Sequence, residues 1–329
     1  MNKVRTAVVG LNMGLLHAHA YKLSEKSDLR WVVDLDETKA SQVAAELGCK
    51  HTSDWKAILD DVDAISFATP HHMHAPMALE AIAAGKHVLL EKPLANSEED
   101  CLKIIQAAEE KNVTLMLAYI VRFRASVQRL KKALDEEEYG KPFNAQCWIQ
   151  GYMAPNPGSW FSQKDKLGGG VLFSHGCHYI DLLIWLLGDP VSVAGLGTRL
   201  GTEWMEGEGT HHGILQFKSG ALAHLFTSWA TKYKSPPALL HVHTTGGCFI
   251  LGDDKLEVVT PEGRITLYEP PQSKVANSSA LGEVEHFLDS IQTGQRPMTD
   301  GYEGMKSHRA IWAMYEHQGT PISWEGRQD

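Results

Sequence analysis

Val4-Arg5-Thr6-Ala7-Val8-Val9-Gly10-Leu11-Asn12-Met13-Gly14 is the stretch on which the fold turns. A short apolar run meets a glycine turn, and a helical pattern follows to about Leu23. Strand, tight turn and helix in that order open a parallel sheet. In such a unit a diphosphate docks on backbone N–H groups at the helix N-terminus. Glycine is needed where a side chain would block the phosphate or forbid the turn. A full Gly-x-Gly-x-x-Gly pattern would put glycines at 10, 12 and 15. Asn12 and Leu15 hold two of those places, and Gly14 comes one residue early. Asn tolerates left-handed backbone better than most residues. On spacing alone, two readings of Gly10, Leu11, Asn12, Met13 and Gly14 stay open: a shortened dinucleotide loop, or an ordinary strand–helix turn.

The alternation continues downstream. Strands are predicted at 29–33, 63–68, 87–90 and 113–118, with helices over 38–47 and 75–84 and one opened by Ser97-Glu98-Glu99-Asp100. That tetrapeptide has capping-box spacing, a serine cap with a carboxylate three residues on. Gly48 and Gly85 stand where helices end. Strands alternating with helices imply right-handed crossovers and a doubly wound parallel sheet, a Rossmann arrangement. Asp34 ends the second strand, 24 residues after Gly10. An acid about 20 residues on accepts from the adenosine ribose 2′-OH and repels a 2′-phosphate, so NAD is expected over NADP. The plainer reading makes Asp34 a turn residue and Asp36 a helix cap.

The chain has 329 residues, 43% hydrophobic and 22% charged, which suits about two globular domains and excludes a wholly disordered chain. No window approaches about 20 consecutive apolar residues, so no membrane span is expected. The net charge of −9 argues against nucleic acid and anionic membranes as partners. The N-terminus has no apolar h-region or cleavage-like site, which reads as a cytoplasmic chain. Five cysteines without a CxxC give no disulfide framework or zinc knuckle.

After Arg122 the pattern changes. A helix around Val127–Leu134 stops at Gly140, and 143–150 alternates as a half-buried antiparallel strand should. A Pro-, Gly- and Ser-rich loop follows (154–170), then an apolar helix over about 176–187. Strand-like runs fall near 191–199, 212–217, 221–229, 238–243, 247–251, 255–259 and 264–268, and helices near 280–293 and 302–318 close the chain. The expectation is a dinucleotide-binding domain over 1–122 and an α+β domain over 123–329. The second carries a large open, mainly antiparallel sheet with helices on one face.

Three further stretches carry a family resemblance: Phe67-Ala68-Thr69-Pro70-His71-His72-Met73-His74 with Ala84 through Glu91-Lys92-Pro93; Gly168-Gly169-Gly170 through Ser174-His175-Gly176-Cys177-His178-Tyr179-Ile180-Asp181; and Glu283 through Pro297. Together they resemble the glucose–fructose oxidoreductase / inositol dehydrogenase / rhizopine-catabolism family of NAD(P)-dependent oxidoreductases, in order and over nearly the whole chain. The resemblance implies a C-terminal α/β domain whose open sheet supports a substrate pocket and, as a dimer or tetramer, a homo-oligomer interface. It implies reversible hydride transfer between a sugar or cyclitol carbinol and the nicotinamide. The family's catalytic lysine falls on Lys92 and its histidine on His178. Thr69, Pro70, His71 and His74 lie at the cofactor edge, with Glu91 and Lys92 of the Glu-Lys-Pro tripeptide. His71 stands where Asn is common, and Ser174 where Asp is. Arg122-Phe123 matches the family's Arg-Phe, where the arginine meets cofactor or substrate or makes an interdomain salt bridge. Tyr119 ends the preceding strand, within reach of the nicotinamide. Trp160-Phe161 replaces a common Trp-Arg, with Trp160 on the cofactor or lidding the pocket.

Oxidising a secondary alcohol needs a positioned carbinol and a proton acceptor, while the cofactor handles the hydride. Lys92 suits acid/base work, and His178 bonds the substrate hydroxyl or shares the proton. Asp181, three residues on, orients His178, binds a sugar hydroxyl, or serves as a structural partner. Ser174 and the loop from Tyr152 to Lys166 supply further substrate contacts. The histidine pairs tempt a metal reading, but no third ligand sits at a convincing spacing, so none is expected. Two rivals use the same residues: an NAD-dependent glycosidase that oxidises, eliminates, adds water and reduces back, and a regulator that senses NAD and sugar without turnover.

Overall fold

A computed structural model describes residues 2–233, 239–252, 254–270 and 278–318. The strands are β1 (Val4–Val9), β2 (Ser27–Val33), β3 (Lys50–Thr52), β4 (Ala64–Phe67), β5 (His87–Glu91), β6 (Leu115–Ala118), β7 (Pro142–Gln150), β8 (Pro190–Thr198), β9 (Thr210–Phe217), β10 (Leu222–Ser228), β11 (Leu240–Thr244), β12 (Gly247–Gly252), β13 (Lys255–Thr260) and β14 (Gly263–Tyr268). The helices are α1 (Gly14–Leu23), α2 (Glu37–Leu47), α3 (His74–Ala83), α4 (Glu98–Lys111), α5 (Ala125–Asp135), α6 (Lys164–Leu167), α7 (Cys177–Leu187), α8 (Ser278–Thr293) and α9 (Gly301–Glu316). Residue 238 of the strand expected over 238–243 lies outside the described residues.

The first six strands form one parallel sheet in the order β3-β2-β1-β4-β5-β6. The order reverses beside β1, so a crevice opens beyond the C-terminal ends of β1 and β4. Local chemistry agrees with this path: Asp36 caps α2 by accepting from Lys39 N–H, Ser97 caps α4, and Gly48 closes α2 in the left-handed region. β3 is three residues long and mostly exposed, too little periodicity to stand out in the sequence.

The other eight strands form a second sheet, β14-β13-β12-β11-β7-β10-β9-β8. It is antiparallel throughout except at β7 and β10, which run parallel from Leu222↔Asn144 to Ser228↔Gln150. The strand read as antiparallel at 143–150 is so toward β11 but parallel toward β10, since alternation reports one covered face and does not fix a neighbour's direction. The covered face packs on α7, α9 and α5 through Ala145, Cys147, Leu215, Leu225, Val242 and Val258. The run Lys164–Leu187, from α6 through α7, is long and apolar enough by composition to cross a membrane, but 78% of its most apolar window is buried inside the protein, as in a core segment. The last two helices return to the first sheet. Val284, Phe287 and Leu288 of α8 join Ala18 and Tyr21 of α1 in one core, and Thr299, just before α9, donates to Leu117 O of β6.

Candidate active site

The β1–α1 turn is built by close approach. Gly10 has φ +86°, and a Cβ there would lie 2.4 Å from Ala68 O. A Cβ on Gly14 would lie 2.8 Å from Val8 Cγ1, so this glycine lets α1 settle on the sheet although it stands off the usual spacing. No side chain caps α1. Its first-turn N–H groups therefore face the crevice as an anion site. Asp34 Oδ2 accepts from Leu11 N–H at 2.8 Å and Oδ1 from Asp36 N–H at 3.0 Å. Burial pushes the Asp34 carboxyl up, but these N–H groups and Lys39, 3.5 Å away, hold it below its ordinary value. Lys39 also reaches Asn12 Oδ1 at 2.6 Å.

The crevice continues as a cleft of about 450 Å³ walled by both halves of the chain. From the first sheet come Asn12, Met13, Ala68, Thr69, Pro70, His71, Glu91 and Lys92. From the second half come Trp160, Phe161, Ser174, His175, His178 and Trp229. Lys92 Nζ donates to the Ser174 carbonyl at 2.8 Å. That carbonyl lies in a π turn, Leu172–Gly176, that leads into α7. Such turns recur at functional sites because they re-aim side chains. Here the turn brings Ser174, His175 and His178 to one wall. Burial, then the Lys92 charge, holds the His178 and His71 imidazoles well below their usual range. His178 Nδ1 is sealed without a partner, and its ring meets the edge of Tyr119 at 5.8 Å. His71 Nδ1 bonds Leu167 O at 2.8 Å, and His74, fully buried, spans Thr69 O and Pro93 O.

Nine expected site residues do not line the cleft: Gly10, Leu11, Gly14, Asp34, His74, Tyr119, Arg122, Tyr152 and Asp181. Arg122 and Asp181 form a buried bidentate pair at 2.8 and 2.6 Å, and Arg122 also donates to Met298 O at 3.3 Å. Burial pushes the Asp181 carboxyl up to about 6 against the pull of Arg122. Tyr119 gives its hydroxyl to Ser307 at 2.7 Å, and Tyr152 is half exposed beside Lys232. Leu11, Gly10 and Gly14 shape the turn from behind. Conversely, Ala68, Phe161 and His175 line the cleft although the sequence reading assigns them no role there, and Trp229 lines it too. The i,i+3 spacing of His175 and His178 was the available signal.

Behind Lys92 lies a buried carboxylate cluster. His17 Nε2 stands 3.6 Å from Glu91 Oε1 and 3.7 Å from Glu283 Oε2, and both Glu283 oxygens are sealed without a hydrogen bond. Burial first, then Glu91, raises the Glu283 carboxyl well above its ordinary value. Among the described residues, no three His, Cys, Asp or Glu side chains converge as a metal site.

The uncapped α1 terminus, the glycine cradle and the sealed, unpartnered Thr69 Oγ1 fit a dinucleotide lying from Asp34 to Lys92. Comparison with known proteins agrees. Residues 4–119 match the NAD-binding Rossmann fold of an oxidoreductase family, and 127–266 match the GFO/IDH/MocA C-terminal domain. The 1,5-anhydro-D-fructose reductase of Ensifer adhaerens is 29% identical over 287 residues, 84% of this chain and 81% of that protein. The 2,7-anhydro-N-acetylneuraminate hydratase of Escherichia coli K12 is 30% identical over 297 residues, 87% and 73%. A levoglucosan dehydrogenase solved with NADH and levoglucosan shares the fold, with a TM-score of 0.85, 22% identity, and 96% and 98% of the chains covered.

Proposed function

The chain belongs to the GFO/IDH/MocA family of oxidoreductases, and on that premise we propose that it transfers a hydride between a secondary alcohol of a sugar, cyclitol or sugar derivative and a nicotinamide, with Lys92 as acid/base. The observation that carries this reading is the Lys92 amine in a cleft shared by both halves, its Nζ 2.8 Å from a carbonyl of the opposite wall. The bound nicotinamide would supply the hydride acceptor. Gly10, Gly14 and the first turn of α1 would hold its diphosphate, and Asp34 the adenosine ribose. Thr69, Pro70, His71 and Glu91 would line the nicotinamide end, with His74 bracing them from behind.

Lys92 Nζ would take the carbinol proton as the hydride leaves and return it in reverse. With Ser174 in place of a carboxylate, the lysine leans on a backbone carbonyl and not on a second charge. His178 would bond the reacting oxygen. Asp34 favours NAD, while Lys39 beside it offers a cation to a 2′-phosphate, so discrimination against NADP would be modest. The open face of the second sheet presents Ile214, Leu222, Phe226 and Trp148, which suits a homodimer contact; a strictly monomeric mass by light scattering at micromolar protein would contradict it.

One relative named a hydratase favours a second reading, a redox-neutral cycle of oxidation, elimination, water addition and reduction. A screen of neutral aldoses, anhydro sugars, cyclitols and glycosides with NAD and NADP decides. NADH formed in step with oxidised sugar supports the dehydrogenase. Sugar converted with no net NADH would favour the redox-neutral cycle, and no conversion of any sugar would contradict both.

A further inference from the structure

His175 is not among the residues expected to act, yet its surroundings prepare it for a definite task. It lines the cleft from the π turn, one helical turn before His178. The Trp229 indole Nε1–H donates to His175 Nδ1 at 3.4 Å, and the two rings stack at 28°. An indole N–H only donates. Nδ1 must therefore accept, and a neutral His175 carries its proton on Nε2. Burial, then the Lys92 charge, holds this imidazole down at about 4, so the neutral form prevails at physiological pH.

Among the described residues Nε2 has no hydrogen-bond partner, and it is not one of the polar atoms sealed from solvent. The cleft thus holds an oriented N–H donor without an acceptor in the protein. Its flank is aromatic: His71 meets Trp160 at 4.8 Å, Trp160 lies on Phe161 at 3.9 Å, and Phe161 meets Trp229 at 6.1 Å. An apolar wall with a few fixed polar atoms is how pockets orient small ligands. A site donor aimed at a substrate oxygen also rejects analogues that lack it.

We propose that His175, its tautomer fixed by Trp229, donates from Nε2 to a sugar oxygen other than the one oxidised, and so determines which sugars are accepted. The proposal rests on reading the cleft as a sugar site. His175 is here a specificity residue that touches substrate, and Trp229 positions it.

The test is calorimetric titration of the NADH-loaded enzyme with the preferred sugar and its single-deoxy analogues, for the natural chain, His175→Phe and His175→Gln. The expected result for His175→Phe is a loss of about tenfold for the parent sugar, with NADH affinity unchanged. One deoxy analogue should bind the natural chain and His175→Phe equally, and His175→Gln, which keeps a donor, should recover most of the affinity. A uniform loss across all analogues, no loss at all, or no sugar binding by the natural chain would overturn the proposal. Sugar binding with this pattern but without any turnover would count against the proposed enzyme while leaving the role of His175 intact.

Discussion

Arg122 and Asp181 show how a residue's chemistry is decided by what else is in reach. Either alone reads as a ligand contact, but buried together at 2.6 Å they neutralise each other. Removing two charges from water costs more than their attraction returns unless the geometry is good, and leaving one behind costs most. Asp181→Ala is therefore expected to destabilise the protein by about 3–5 kcal/mol. Arg122→Met with Asp181→Leu should lose far less, as read by denaturant midpoints. Equal losses in the single and double variants would contradict this account. That Lys92, Ser174 and His178 share one cleft was legible, because their residue types stand in recognisable order along the chain. The bond from Trp229 to His175 was not, because it spans 54 residues and exists only once β10 is folded against the π turn.

At the scale of elements, α8 is the surprise. Its apolar spacing announces a helix but not which sheet it covers, since periodicity specifies a buried face and not its partner. The structure docks it on α1, with Glu283 placed against His17. Glu283 holds its proton more tightly folded than unfolded, because burial raises its carboxyl well above the ordinary value of 4.5. The folded state then binds more protons than the unfolded state above about pH 4.5. This contribution to stability is present at low pH and falls as pH rises toward the folded value. Glu283→Gln removes that dependence. Its melting temperature should exceed that of the natural chain by about 2 °C or more near pH 8, with the gap closing toward pH 5. A gap that widens on acidification would show that the carboxylate form is the one the fold prefers. The parallel β7–β10 pair was hidden for a related reason: strand runs are visible in sequence, but their order in a sheet is set by long-range packing.

For the molecule as a whole, the sheet order β3-β2-β1-β4-β5-β6 creates the crevice, and the second half supplies the wall that closes it. Lys92 bridges the two halves inside the cleft by donating to the Ser174 carbonyl. In the proposed reaction that contact makes way for substrate, so the amine is held where proton transfer is needed while the cofactor is gripped elsewhere. Cofactor binding and chemistry should therefore separate. The most direct measurement compares Lys92→Met with the natural chain in NADH affinity and in turnover of whichever sugar the screen identifies. The account predicts turnover reduced at least 100-fold, with NADH affinity changed by no more than a few-fold. Turnover left intact, or a loss explained wholly by weaker NADH binding, would contradict it.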